Sequence, residues 1–354
     1  MEQLDPHQKR VLYHLVEGVK DDKEIQTLGG YAGTGKTTLI KYLTKFFPKF
    51  RVCAYTGKAA NVLRKKGIDA STIHSLIYRP VIEYGILTGF ELADTLDDAE
   101  GIIVDEASMV SKDIFYDLEH FGLPMIFVGD HGQLEPVGSD FNLMENPDYT
   151  LEEIHRNAGD IAKFAEHIRK GYTPRSFRPS DPNKIVFLDK WSITPEQMVK
   201  FDQVICAYNK TRVDTNNKIR EVLGFSGKLN IGERSMCLKN NKKLELFNGM
   251  QGMVRDMYRK KGADRIDFEF DDMLFSGLKY SKNFFGVERP ELNQMSPDAP
   301  SPFDYAYCIT CHKAQGDEWP TGLVIEQRSS MWDHRRWAYT AASRFKEQVG
   351  WVSW

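Results

Sequence analysis

Gly30-Tyr31-Ala32-Gly33-Thr34-Gly35-Lys36-Thr37 is the most informative stretch in this chain of 354 residues. It matches the pattern G-x-x-x-x-G-K-[ST], in which a glycine-rich loop joins a buried strand to the first turn of a helix. An apolar run at 25–29 precedes it, and apolar residues recur at helical spacing through 36–47. Backbone N–H groups of such a loop, together with the helix N-terminus, bind phosphate oxygens. The stretch therefore predicts a nucleoside triphosphate site.

Outward from this loop, short apolar strands alternate with helices, which predicts an α/β fold with parallel sheets covered on both faces. The strand candidates lie at 25–29, 51–55, 101–104 and 125–128, and in the second half at 184–188, 204–207, 323–326 and 348–354. Two segments break the alternation. Residues 80–92 are typical of a small β-hairpin, and roughly 229–305 of a β-rich insertion with glycine turns.

Acidic and amide side chains follow two of these predicted strands. Asp105 and Glu106 end the run 101–104, and Gln133 follows the run 125–128. Carboxylates at the carboxyl end of a parallel strand face the phosphate loop. Lys36 would reach the β- and γ-phosphates, Thr37 and Asp105 would hold Mg²⁺, Glu106 would polarise the attacking water, and Gln133 would sense the γ-phosphate.

The composition argues against several classes of protein. Lys and Arg total 47 against 50 Asp and Glu, giving a net charge of −3, so the surplus of a strongly basic nucleic-acid binder is missing. A basic groove within a near-neutral protein is compatible with that balance. No apolar run approaches the ~18 residues of a membrane helix, and the start of the chain has no signal-peptide pattern. Five cysteines fit a reducing cytoplasm, and Cys308-x-x-Cys311 lacks the second pair of a zinc site.

The motifs, in their order along the chain, resemble the superfamily 1 helicases, in the subgroup that contains the bacteriophage Dda helicase and the RecD-type enzymes. Residues 4–8, 30–37, 105–106 and 129–136 resemble the Q motif and motifs I to III, and 151–156, 310–318 and 339–344 resemble motifs IV to VI. Residues 56–60 and 71–74 resemble the segments that hold single-stranded DNA. Residues 248–252, after 231–234 and 240–241, resemble an SH3-like insertion. Ser343 and Cys311 depart from the family, which commonly has Thr and Val there.

The resemblance implies two RecA-like P-loop lobes. The first would span 1–150, with a hairpin insertion at about 78–98, and the second 151–228 with 306–354, interrupted by an SH3-like insertion at 229–305. The implied activity is ATP-dependent DNA unwinding and 5′ to 3′ translocation on single-stranded DNA, with Mg²⁺ and ATP as cofactors. A monomer would act at single-strand/duplex junctions in a bacterial cytoplasm or a phage-infected cell, with replication or recombination proteins as candidate partners and no membrane.

The resemblance also implies roles for individual residues. Catalytic roles fall to Lys36, Glu106, Gln133, Arg156 and Arg344, the last two as arginines that reach the γ-phosphate. ATP contacts fall to Gln8, which would read adenine, and to Gly30, Ala32, Gly33, Thr34, Gly35, Lys36, Thr37, Thr38, Gly316 and Glu318. DNA contacts fall to Thr56, Lys58, Thr72, His74, Asn248, Thr310, His312 and Lys313. Tyr84 or Phe90 would form a strand-separating pin on the hairpin, unless both pack against the first lobe.

Some alternatives remain open at this level. A P-loop kinase or nucleotide switch would share residues 25–133 but would have no use for the second half of the chain. A non-catalytic DNA-binding subunit of a recombination or repair complex would be expected to lack Lys36 or Glu106, and both are present. Arg64, Lys65 and Lys66 add positive charge near the DNA segments, or form a solvated helix end.

Overall fold

The computed structural model describes residues 4–83, 86–134, 141–152, 159–189, 192–241, 244, 246, 248–270, 273–292 and 299–353. It divides the chain into two compact units, Met1–Ala162 and Lys163–Trp354. The sequence places the division between 150 and 151. The lobe boundaries that the sequence analysis gives remain predictions, because a division into two compact units does not test them.

The first unit has a six-stranded parallel sheet with the strand order β3-β2-β6-β7-β1-β8. Its helices are α1 (Pro6–Lys20), α2 (Lys36–Phe46), α3 (Gly57–Lys65), α4 (Ile73–Ile77) and α5 (Lys112–Glu119). Its strands are β1 (Ile25–Gly30), β2 (Phe50–Ala54), β3 (Ala70–Thr72), β4 (Tyr78–Glu83), β5 (Ile86–Leu92), β6 (Gly101–Asp105), β7 (Met125–Gly129) and β8 (Tyr149–Leu151). The four predicted strands and the helix after the phosphate loop are confirmed within about two residues at each end.

Two apolar cores cover the two faces of this sheet. Along β7, Ile126 and Val128 belong to one core, which also contains residues of α1, α2 and α3. Met125 and Phe127 belong to the other, with residues of α4 and α5. Successive side chains of a strand point to opposite faces, so a continuous apolar run is what a strand buried on both faces requires.

The predicted hairpin is present as β4 and β5, which pair antiparallel from Tyr78↔Leu92 to Glu83↔Ile86. It follows α4 directly and leads back toward β6. Tyr84 lies outside the described residues. Phe90 is 46% exposed.

The second unit has a five-stranded parallel sheet with the order β16-β10-β17-β18-β9. The helices are α6 (Asp160–Arg169), within which the two units divide, α7 (Pro195–Met198), α8 (Asn209–Val222) and α9 (His334–Ala342). The strands of the sheet are β9 (Ile185–Asp189), β10 (Gln203–Cys206), β16 (Cys308–Thr310), β17 (Trp319–Ile325) and β18 (Phe345–Ser353). The predicted strand at 323–326 begins earlier than expected, because Trp319 already pairs with Phe345.

The β-rich insertion is a small closed barrel. Its strands are β11 (Arg234–Cys237), β12 (Gln251–Lys260), β13 (Ala263–Phe270), β14 (Met273–Ser281) and β15 (Ser301–Tyr305). Two buried ion pairs, Arg212–Asp304 and Arg220–Glu233, join the barrel to α8. Removing one partner of such a pair leaves an uncompensated buried charge, so these contacts fix the barrel against α8. Its likeness to an SH3 domain stays a prediction.

No helix in the part of the chain described above is long and apolar enough to cross a membrane.

Candidate nucleotide and DNA sites

The phosphate loop joins β1 to α2, as the sequence predicts. Gly33 and Gly35 have φ of +80° and +88°, a left-handed backbone that residues with a Cβ rarely adopt. A Cβ on Gly30 would lie 2.8 Å from Thr34 Oγ1, so glycine at this position allows the loop to close. Thr34 Oγ1 in turn donates to the carbonyl oxygen of Tyr31 over 2.8 Å. Ala32 in this loop and Thr38 in the first turn of α2 are half-buried.

Lys36 begins α2 and holds its ammonium group against the loop. Nζ donates to the carbonyl oxygens of Gly30 at 2.7 Å and Tyr31 at 3.1 Å. The N-terminus of α2 adds a partial positive charge at the same place. The loop therefore combines a lysine cation, glycines that allow its tight turn, and the N-terminus of a helix, which are the features that phosphate binding requires.

Gln8 connects the first helix to the phosphate loop. It is buried, and its Nε2 donates to the carbonyl oxygen of Thr34 over 2.9 Å. Its Oε1 accepts from the backbone N–H of Asp5 at 3.1 Å, and Asp5 Oδ1 accepts from the backbone N–H of Gln8 at 2.8 Å, which together form a capping box. Both amide atoms are thus engaged with the backbone. Adenine contact by Gln8 stays a prediction.

The strand order β6-β7-β1 brings the carboxyl ends of three predicted strands side by side. Asp105 ends β6, where burial raises the pKa of its carboxyl group and the positive charge of Lys36 opposes that rise. Glu106 has φ 55° and ψ 40°, a left-handed conformation that a non-glycine residue adopts at a cost of about 1–3 kcal/mol. Such strain is typical of functional positions, and here it occurs at the predicted catalytic carboxylate.

The turn after β7 is held together by Asp130. This fully buried carboxylate accepts from the backbone N–H of Gly132 at 2.9 Å and from Gln133 Nε2 at 3.1 Å. The ring of His131, between them, lies 4.2 Å from that of Tyr31 in the phosphate loop, measured between centroids. Asp130 therefore orients the predicted γ-phosphate sensor, and the turn packs on the loop.

The predicted metal ligands have suitable chemistry. Thr37 supplies a hydroxyl and Asp105 a carboxylate, the hard oxygen donors that Mg²⁺ prefers. Lys66 is a further residue at this place, since its Nζ lies 3.4 Å from Thr37 Oγ1. The sequence gives no signal for that proximity, because the contact joins two helices and depends on how α2 and α3 pack.

The predicted DNA contacts of the first unit occur where strands meet helices. The hydroxyl of Thr56 after β2 accepts from the backbone N–H of Ala59 at 3.1 Å, and that of Thr72 at the end of β3 accepts from the backbone N–H of Ser75 at 3.1 Å. Both therefore act as N-caps of α3 and α4. The ring of His74 lies 5.4 Å from that of Tyr78. The side chain of Lys58 lies outside the described part of the structure.

The second unit brings together two residues that the sequence assigns to DNA. Lys313 Nζ donates to Asn248 Oδ1 over 2.7 Å, joining the segment after β16 to the loop between β11 and β12. Burial lowers the pKa of Lys313 and also that of the neighbouring His312. Thr310 ends β16. The barrel and the second sheet thus share one polar surface at this point.

The remaining predicted nucleotide contacts of the second unit have partners in that unit. Arg344 is buried and donates to the carbonyl oxygen of Thr340 at 3.1 Å and to Ser343 Oγ at 2.9 Å. Glu318 pairs with Lys346 at 2.6 Å. Gly316 has φ +79°, so its turn requires glycine. Arg156 lies outside the described residues.

Comparison with known proteins identifies the class. Residues 3–186 match the model of a family described as AAA domain, and residues 305–352 match that of the UvrD-like helicase C-terminal domain. The first match covers more than half of the chain, so the chain belongs to the AAA domain family. The second match falls on the segment in which the sequence places motifs V and VI.

The relatives confirm the resemblance to superfamily 1 helicases of the Dda and RecD subgroup. The ATP-dependent DNA helicase dda of Enterobacteria phage T4 is 27% identical over 246 residues, covering 61% of this chain and 56% of that protein. The ATP-dependent RecD2 DNA helicase of Deinococcus radiodurans is 27% identical over 359 residues, covering 91% of this chain and 46% of that protein. The chain spans about half the length of the curated relatives it matches.

Solved structures confirm the fold. Bacteroides Pif1 helicase in complex with ADP-AlF3 and ssDNA has a TM-score of 0.60 at 20% identity, covering 99% of this chain and 92% of that one. Pif1 helicase from Candida albicans has a TM-score of 0.59 at 20% identity, covering 100% and 95%. Sequence identities at this level show a shared architecture of parallel sheets and insertions, and not a shared substrate.

Proposed function

We propose that this chain is an ATP-dependent DNA helicase and single-stranded DNA translocase. The observation that carries the proposal is the convergence of Lys36, Thr37, Asp105, Glu106 and Gln133 on the carboxyl ends of three adjacent strands. A phosphate loop alone is shared by kinases and switches, whereas a water-polarising acid and a γ-phosphate sensor beside it favour hydrolysis. The relatives named above, dda and RecD2, are ATP-dependent DNA helicases.

In the proposed reaction Lys36 binds the β- and γ-phosphates, and Thr37 with Asp105 would hold Mg²⁺. The metal, when bound, would neutralise charge on the phosphates. Glu106 orients the attacking water and takes its proton, and Gln133, held by Asp130, donates to the γ-phosphate. Arg344 is proposed to stabilise the developing charge from the second unit, with Arg156 as its counterpart in motif IV.

DNA is proposed to contact both units. In the first, the segments around Thr56, Lys58, Thr72 and His74 would bind the strand. In the second, the paired Lys313 and Asn248 offer a cation and an amide to the sugar-phosphate backbone, with Thr310 and His312 beside them. Because Lys313 is half-buried, a phosphate contact there is screened less than one in open solvent. The DNA-dependent cycle would couple hydrolysis to movement, with 5′ to 3′ travel and monomeric action proposed from the resemblance.

The test is unwinding of two duplexes that carry either a 5′ or a 3′ single-stranded tail, with Mg²⁺ and ATP. Lys36→Ala is the matched control, because it removes the cation of the loop and leaves the remainder of the fold intact. We expect wild-type protein to unwind the 5′-tailed duplex only, and Lys36→Ala to unwind neither while it still binds single-stranded DNA. Unwinding of the 3′-tailed duplex alone would refute the polarity. Phosphorylation of a small molecule with no DNA stimulation would refute the function.

A further inference from the structure

Lys66 brings a second cation to the phosphate site of the first unit. Its ammonium lies 3.4 Å from the hydroxyl oxygen of Thr37, at the N-terminus of α2. Two ammonium groups therefore lie at the start of α2, that of Lys36 on the carbonyl oxygens of the phosphate loop and that of Lys66 beside Thr37. Lys36 comes from the phosphate loop, and Lys66 from the end of α3.

The backbone that carries Lys66 is held firmly. Gly67 has φ +78° and follows the C-cap of α3, where its N–H donates to the carbonyl oxygen of Arg64 at 2.9 Å. The N–H of Ile68 donates to the carbonyl oxygen of Leu63 at 3.1 Å, and both of these side chains are buried. This combination is a Schellman motif with its hydrophobic contact.

A second tie joins this helix end to the helix that follows the phosphate loop. Lys41 Nζ, in α2, donates to the carbonyl oxygen of Lys66 over 3.4 Å. A long exposed side chain loses conformational entropy when it binds a ligand. Because the backbone of Lys66 is already held in place, little backbone entropy is lost in addition. The Lys66 ammonium is therefore presented to the site by a rigid segment.

We propose that Lys66 is a nucleotide-binding residue that contacts the polyphosphate beside Thr37 and supplements Lys36. This inference rests on the proposed function, since it assumes that the loop binds a nucleoside triphosphate. The Lys36 ammonium already donates to the carbonyl oxygens of Gly30 and Tyr31. A bound triphosphate carries several negative charges, which is more than this one ammonium neutralises. A second ammonium offsets part of that excess. Because Lys66 is exposed, its contribution should be screened by salt.

The experiment measures equilibrium binding of a fluorescent ATP analogue to the full chain without DNA, with Mg²⁺ and again in EDTA. The variants are Lys66→Ala and Lys66→Arg. Lys65→Ala is the matched control, since it removes the same charge from an exposed neighbouring residue. We expect Lys66→Ala to weaken binding about ten-fold at low salt, the lower end of what a charge-assisted hydrogen bond contributes. Lys66→Arg should restore most of the affinity, Lys65→Ala should change it less than about two-fold, and the ten-fold difference should shrink at high salt.

Several results would overturn the inference. Equal affinities of wild type and Lys66→Ala would do so, as would equal losses in Lys66→Ala and Lys65→Ala. If Lys66→Ala bound the nucleotide more tightly than wild type in Mg²⁺ but not in EDTA, this would show instead that the ammonium competes with the metal. The proposed function fails separately. If Lys66→Ala weakens nucleotide binding as expected but wild-type protein unwinds no duplex, the inference stands and the helicase proposal does not.

Discussion

Replacing Gln8 with alanine tests whether the first helix supports the phosphate loop. The substitution removes two hydrogen bonds of a buried amide, one to the carbonyl oxygen of Thr34 and one from the backbone N–H of Asp5. Each is worth about 0.5–1.5 kcal/mol net, and the unpaired backbone groups add to the loss. We expect the free energy of unfolding to fall by about 2–3 kcal/mol, which lowers Tm by about 4–12 °C for a unit of this size.

The effect on nucleotide follows from the same contacts. Because Gln8 holds the loop through Thr34, its loss should weaken ATP and GTP binding by a similar factor. Melting followed by circular dichroism, and binding of both nucleotides, are the assays. Gln197→Ala is the matched control, since Gln197 also completes a capping box, through Thr194, but is exposed and has no loop contact among its described bonds. A Tm for Gln8→Ala no lower than that of the control would refute the reasoning. Selective loss of ATP over GTP would show that the amide reads adenine.

Three further predictions concern turnover, unwinding and acid stability. Arg344→Ala should leave nucleotide binding near that of wild type and lower kcat at saturating single-stranded DNA by ~10³ or more, the usual worth of an arginine finger, so an unchanged kcat would exclude that role. Phe90→Ala should reduce duplex unwinding and leave DNA-stimulated ATPase nearly unchanged, because the side chain is exposed on the hairpin, and a parallel fall of both rates would indicate a structural role. Burial alone would raise the pKa of Glu326, but hydrogen bonds from His334 and Trp351 hold it below its ordinary value. A carboxyl group whose pKa is lowered in the folded state stabilises the fold at pH values above its unfolded-state pKa. This contribution is lost as the pH falls through the folded-state pKa. Trp351→Phe should therefore move acid unfolding, followed by circular dichroism, to higher pH, and an unmoved midpoint would contradict this assignment.

Local sequence determined the parts of this protein that depend on a few consecutive residues. The glycine pattern at 30–37 specifies the loop, because Gly33 and Gly35 take a left-handed backbone that residues with a Cβ rarely adopt. The continuous apolar runs specify β6 and β7, since strands buried on both faces need apolar residues at every position. Asp105 and Glu106 were placed correctly at a strand end because such an end follows directly from the run before it.

Tertiary structure decided which of these local elements meet. The three residues of β8 pair with β1, though nothing in so short a stretch predicts a strand. Gln8 meets Thr34, and Lys313 meets Asn248, only after helices and barrel have packed. Lys66 is the clearest case, because a helix end that is indistinguishable from solvated surface in the sequence lies beside Thr37 in the fold. Contacts between distant residues depend on the packing of whole elements, so the sequence specifies the chemistry of the phosphate loop and the fold specifies which residues surround it.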